Sequence, residues 1–280
     1  MTSPSLSDDD LTLSSTTLDA LKSFYAERDA RAEQFAKLQA QAEALHDAET
    51  GEEDVATAVK EPEVLSMEAF GEDWNESQFW VCMLFFIFEV EENGGGFESY
   101  ADETADLYAQ ELLDGVTADS TIAVVSTPSV FVALKKALRS APPEQPKPKL
   151  LLLEHDNRFG VFQEFVYYDF AQPLKLPAEL KSTCDRIIAD PPFLSEDCQT
   201  KTALTVRWLS RPSNASSSSS SSTTRVIVST GERMSDIVQR VYRSFGIRVT
   251  NYDPVHARGL SNEFWCYANY ESGRGSWGWR

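Results

Sequence analysis

Asp190, Pro191, Pro192 and Phe193 stand together between a strand-like run, "DRIIAD", and a helix start at Ser195, Glu196 and Asp197. Two prolines fix φ at successive positions, stiffen the chain and donate no N–H. The Asp190 carboxylate and the Pro191 carbonyl can then serve as fixed acceptors for two N–H groups of one amine. Phe193 offers a flat face beside it. Two such bonds leave the nitrogen lone pair to point elsewhere. Aimed at an activated methyl carbon, it takes the methyl by in-line displacement, a step to which positioning alone contributes roughly several kcal/mol. No metal is required. A plain exit turn explains Ser195 as a cap and the two acids beside a helix dipole. It does not explain two prolines and an aromatic in a row. With proline near 5% of average composition, chance places such a tetrad in about one chain in a hundred of this length.

The tetrad follows one of several buried strands. "STIAVVS", "PKLLLLEHD", "EFVYYDF", "DRIIAD", "TRVIVST", "FGIRVTNYD" and "EFWCYANY" read as strands, with helices expected over Ser129 to Arg139, Ser195 to Leu209 and Ser235 to Phe245. Another helix, "ADETADLYAQELLDG", stops at Gly115. Alternating strands and helices imply a mainly parallel sheet covered on both faces. The last two strands have no helix between them, so the C-terminal edge is expected to be antiparallel.

Open α/β sheets bind ligands beyond the carboxyl ends of their strands. Ser126, Thr127, Pro128 and Ser129 follow the first strand and enter a helix, whose N-terminus suits a carboxylate. Glu154, at the second tip, can accept both hydroxyls of a ribose, and Asp169, at the third, the amino group of an adenine. Together these describe a cleft for an adenosine carrying an amino-acid tail, namely S-adenosyl-L-methionine. Taken singly, each acid reads equally well as a helix cap or a solvated group.

The 280 residues allow one large domain or two small ones. A net charge of -19 disfavours phosphate backbones as the main partner and fits a basic protein better. The four cysteines form no C-x-x-C pair, so neither structural zinc nor a disulfide framework is expected, and a reducing, cytoplasmic setting is the default. No run reaches the roughly 18 apolar residues of a membrane span. His46, His155 and His256 lie too far apart to suggest a metal cluster. An amphipathic helix is read over Leu18 to Leu45, followed by an acidic linker, giving an N-terminal region of 1–60 and a main domain of 61–280. Within that domain, 81–99 is atypical and 213–223 is a Ser-rich loop. The Gly-rich tail carrying Trp277 and Trp279 is expected to be loose.

The tetrad is of the [DN]PP[YF] type found in amino-methyltransferases. "DDLTLSSTTLDAL", "SQFW", "YADETADLYAQEL", "IAVVSTPSVFVALK", "LLLEHDNRF", "EFVYYDF", "IIADPPFLSEDC" and "SNEFWCYANY" together resemble the elongation factor 1-alpha lysine methyltransferases, a group once described as N-6 adenine-specific DNA methyltransferases. The resemblance covers most of the chain from Asp9 to about Gly273. It implies an α/β, Rossmann-like, seven-stranded S-adenosylmethionine-dependent methyltransferase sheet with an N-terminal helical extension. It also implies methyl transfer to a lysine of elongation factor 1-alpha by a monomer. Position by position, it puts Ser126 to Ser129 at the amino-acid end of the cofactor, Glu154 at the ribose, Asp169 at the adenine, and Asp190 to Phe193 at the target amine. His256, Arg258 and Asn262 fall in "DPVHARGLSNEF", either on the protein-substrate side or in a simple turn. N6-adenine methylation of nucleic acid is the alternative reaction, since the tetrad serves both amine types.

One departure is informative. The resembling family runs "SQFW" almost directly into the tyrosine that here is Tyr100, whereas Val81 to Ser99 separates them in this chain. The stretch reads as a translated intron or gene-model error. A genuine loop there would displace the aromatic segment beside the cofactor and leave a non-enzymatic binding module.

Overall fold

The computed structural model describes residues 100–212, 224–256 and 263–280, together with six positions nearer the N-terminus, Lys22, Ala26, Glu33, Ala36, Lys37 and Ala40. Those six are helical and exposed, and Glu33 pairs with Lys37 one turn on at 2.9 Å. They fall inside the expected amphipathic helix. The acidic linker, Val81 to Ser99, the 213–223 loop, Arg258 and Asn262 lie outside the described residues.

Seven strands form one sheet: β1 (Thr121–Val125), β2 (Lys149–Glu154), β3 (Phe165–Tyr167), β4 (Arg186–Ala189), β5 (Arg225–Gly231), β6 (Arg248–Val249) and β7 (Phe264–Ala268). Their order is β3-β2-β1-β4-β5-β7-β6. β1 pairs in parallel with β2 and β4, β2 with β3, and β4 with β5. β7 runs antiparallel to both β5 and β6. The expected antiparallel edge is therefore present, with the last strand inserted inside the sixth. This is the Rossmann-like methyltransferase order. Its direction reverses between β1 and β4, and that is where such sheets open a ligand crevice.

Among the described residues, four α-helices cover the faces: α1 (Asp102–Leu113), α2 (Pro128–Ser140), α3 (Glu196–Leu209) and α4 (Ser235–Val241). Period-2 alternation of the strand side chains divides the core into two layers. Ile122 and Val124 of β1 pack with α1 and α2. Ala123 and Val125 pack with α3 and α4. Each helix end has a local cause. Pro128 opens α2, where its missing N–H costs nothing. Ser195 caps α3 by accepting the Cys198 amide at 3.3 Å, with Glu196 and Asp197 in the first turn, as the sequence requires. Gly115 and Gly246 take φ of 67° and 71° beyond two helical stretches, conformations that favour glycine.

The tail corrects an expectation. Trp277 is only 3% exposed, joins the core layer under α1, and donates its indole N–H to the Tyr270 carbonyl at 3.1 Å. Tyr108, Tyr252 and Tyr270 surround it with ring centroids 5.6–6.5 Å away. Trp279 bridges Thr250 and lies 4.4 Å from the Arg248 guanidinium. The glycines suggested looseness, but burial of a large aromatic outweighs their backbone freedom. Among the described residues, no helix is long and apolar enough to cross a membrane.

Candidate active site

The tips of β2, β1 and β4 stand side by side and carry most of the candidate residues. The Ser126 amide donates to the Leu153 carbonyl at 2.9 Å, which draws the β1–α2 loop across the end of β2. Ser126 takes a φ of 55°, left-handed for a residue with a Cβ. Such strain persists where surrounding structure enforces it. Thr127 then occupies the N-cap position of the 13-residue α2 without making a side-chain cap. Its hydroxyl is buried, the residue is 2% exposed, and no hydrogen-bond partner reaches it within the described residues. Ser129 is buried in the first turn. An orphan hydroxyl beside the amides of a helix N-terminus suits a carboxylate-bearing ligand.

Glu154 ends β2 at 8% exposure. One of its oxygens accepts the His155 amide at 2.7 Å and, more weakly, the Asp156 amide at 3.5 Å. Burial raises its carboxyl to about 7, and the neighbouring Asp156 adds to the shift while the two amides oppose it. Asp156 is fully buried and pairs with Arg158 at 2.6 Å, so it anchors the turn rather than facing the cleft. His155 lies half-buried, its ring 5.4 Å from that of Tyr167.

Asp169 stands two residues past β3. Its oxygens accept the Ala171 amide at 2.8 Å and the Gln172 side-chain amide at 3.2 Å, a local turn of the kind aspartate favours. The next residue, Phe170, meets Phe193 edge to face, centroids 5.1 Å apart at 66°. The third tip and the tetrad are thus in contact.

Asp190 leaves β4 with its amide bonded to the Val125 carbonyl at 3.1 Å. Pro191 is buried, while Pro192 and Phe193 are half-buried. The Tyr100 hydroxyl donates to Oδ2 of Asp190 at 2.6 Å, a charge-assisted bond between residues 90 positions apart. The Tyr100 ring lies 4.7 Å from that of His256, and the two backbones form an antiparallel bridge. Burial, then the charge and hydrogen bond of Asp190, push the Tyr100 hydroxyl far above its usual range, so it keeps its proton and acts as a donor. Burial lowers His256 to about 4, leaving a neutral ring between Tyr100 and Phe264. His256 therefore packs against Tyr100, the residue that holds Asp190.

Sequence reasoning missed Tyr100 as a partner of Asp190. The only signal was the point at which the family motif resumes after the atypical stretch. Tyr108, whose ring meets that of Tyr100 edge-on, lies in the same family-like stretch, which gives no sign of the contact with Asp190.

Residues 99–272 match the family model described as "Probable N6-adenine methyltransferase". The chain belongs to this methyltransferase family. Among curated members, it is 37% identical over 264 residues to the Saccharomyces cerevisiae protein named Protein-lysine N-methyltransferase EFM5, covering 93% of this chain and 92% of that one. The human EEF1A lysine methyltransferase 1 is 33% identical over 204 residues, covering 72% and 77%. A Caenorhabditis elegans Protein-lysine N-methyltransferase, M142.8, is also 33% identical, over 213 residues. The matched span runs from just before Tyr100 through β7, so this methyltransferase carries the whole described sheet within the family region.

Proposed function

We propose that the protein transfers methyl groups from S-adenosyl-L-methionine to a lysine side-chain nitrogen of translation elongation factor 1-alpha, acting as a cytoplasmic monomer. The observation that carries this reading is the orientation of Asp190. Its carboxylate is held by Tyr100 at the β4 tip, next to the β1 tip whose helix start has an orphan hydroxyl. The names of the yeast and human relatives supply the substrate class, and the net charge of -19 favours a protein over a nucleic acid.

Ser126 to Ser129 fit the carboxylate end of the cofactor, Glu154 the ribose and Asp169 the adenine edge. The bound cofactor supplies a sulfonium methyl as electrophile. Asp190 and the Pro191 carbonyl accept two N–H groups of a neutral lysine, and Phe193 walls the amine. So held, the amine would keep its lone pair free to meet that methyl carbon, the sulfur taking the leaving electrons. Lysine has a free pKa near 10.4, which desolvation lowers and the Asp190 charge raises. Tyr100 retains its own proton and His256 is a weak acceptor, so neither takes the lysine proton. The three described cysteines are free and buried, which fits a reducing compartment.

The family model's name favours adenine in nucleic acid as the competing acceptor. Purified enzyme with methyl-labelled cofactor is offered elongation factor 1-alpha and DNA separately. Label on the protein substrate supports the lysine reading; label on DNA alone overturns it.

A further inference from the structure

The strongest polar contact in the cleft involves a residue outside the tetrad. Tyr100 is 3% exposed and its hydroxyl lies 2.6 Å from Oδ2 of Asp190. Further inward, the Tyr108 hydroxyl donates to Ser229 at 3.3 Å.

The frame around Tyr100 is stiff. Ala101 donates its amide to the Val255 carbonyl at 2.9 Å, and the Thr104 hydroxyl accepts the Val255 amide and the Tyr252 hydroxyl, both at 3.0 Å. The Tyr100 ring packs against His256 on one side and edge-on to Tyr108 on another. The Tyr100 ring is thus held by α1 and the segment before β7 together.

We infer that Tyr100, braced by His256 and Tyr108, is a positioning residue for methyl transfer: it fixes the plane of the Asp190 carboxylate so that the amine is met by an acceptor already in place. This rests on the proposed role of Asp190 in gripping the amine. An aspartate can rotate about two side-chain bonds, and a partner that fixes its plane beforehand lowers the ordering needed during the reaction. The burial and charge that hold the Tyr100 proton also keep it a donor across the working pH range. Tyr100 acts through Asp190 and need not touch substrate.

The test compares wild type, Tyr100→Phe, Asp190→Ala and the double variant, using labelled cofactor and elongation factor 1-alpha. Phenylalanine keeps the ring contacts and removes only the hydroxyl. Tyr100→Phe is expected to lower kcat about 10- to 100-fold. Its cofactor Kd by calorimetry should stay within about twofold and its melting temperature near wild type, a split that general loosening does not produce. In the Asp190→Ala background, Tyr100→Phe should add little, because residues acting as one unit are not additive. Wild-type kcat in Tyr100→Phe overturns the inference, as does a full loss that persists in the Asp190→Ala background. Full turnover by Asp190→Ala instead overturns the reading on which it rests, so the two failures are distinguishable.

Discussion

Glu154 accepts the amide of the residue that follows it, His155, at 2.7 Å, and so presents its carboxylate at the β2 tip from a site with almost no exposure. A ribose is held by the ionised form, yet burial raises this carboxyl to about 7. Cofactor affinity should therefore fall as pH drops below about 7, by up to about tenfold per unit. The ligand-free enzyme should show the reverse. A raised folded pKa contributes stability that is full below the unfolded value and lost as pH rises through about 7. Glu154→Gln should weaken cofactor binding and flatten both profiles, read by calorimetry and thermal melts from pH 5 to 8.

Thr127 separates binding from stability. Its buried hydroxyl has no partner among the described residues, at a cost of about 1–3 kcal/mol. Thr127→Val keeps the shape and removes the unmet group. The ligand-free protein should become more stable while cofactor affinity drops. A variant that binds cofactor as wild type does removes Thr127 from the cofactor site.

Trp277 tests the corrected account of the tail. Trp277→Ala should destabilise the fold by about 3–5 kcal/mol, the usual cost of deleting a buried large aromatic. A melting temperature at the wild-type value contradicts the placement of this residue in the core.

Much of this architecture was legible in the sequence. The continuous apolar runs of β1 and β2 marked strands buried on both faces, and Ser195 with its two acids announced the start of α3. The Asp190–Phe193 tetrad stood out because its residue types are rare in combination. Contacts set by tertiary packing were not legible. Trp277 carries no local signal for burial beneath α1, since glycines surround it. The bond between Tyr100 and Asp190 joins positions 90 apart, and no spacing rule reaches that far. The local turn that Asp169 makes with Ala171 and Gln172 was likewise not read from the sequence.

The Val81 to Ser99 stretch ends one residue before Tyr100, so its origin bears on the active site. We read it as a translated intron. Sequenced transcripts should join Trp80 to within a residue or two of Tyr100. Abundant transcripts that retain the stretch reject this and make it a genuine loop.

The central claim is that Asp190 holds the amine that accepts the methyl group. Single-turnover transfer of labelled methyl to elongation factor 1-alpha by Asp190→Ala, with cofactor affinity measured on the same protein, tests it most directly. The predicted result is transfer slowed about 100-fold or more, with cofactor Kd largely unchanged. Wild-type transfer by this variant would contradict the claim.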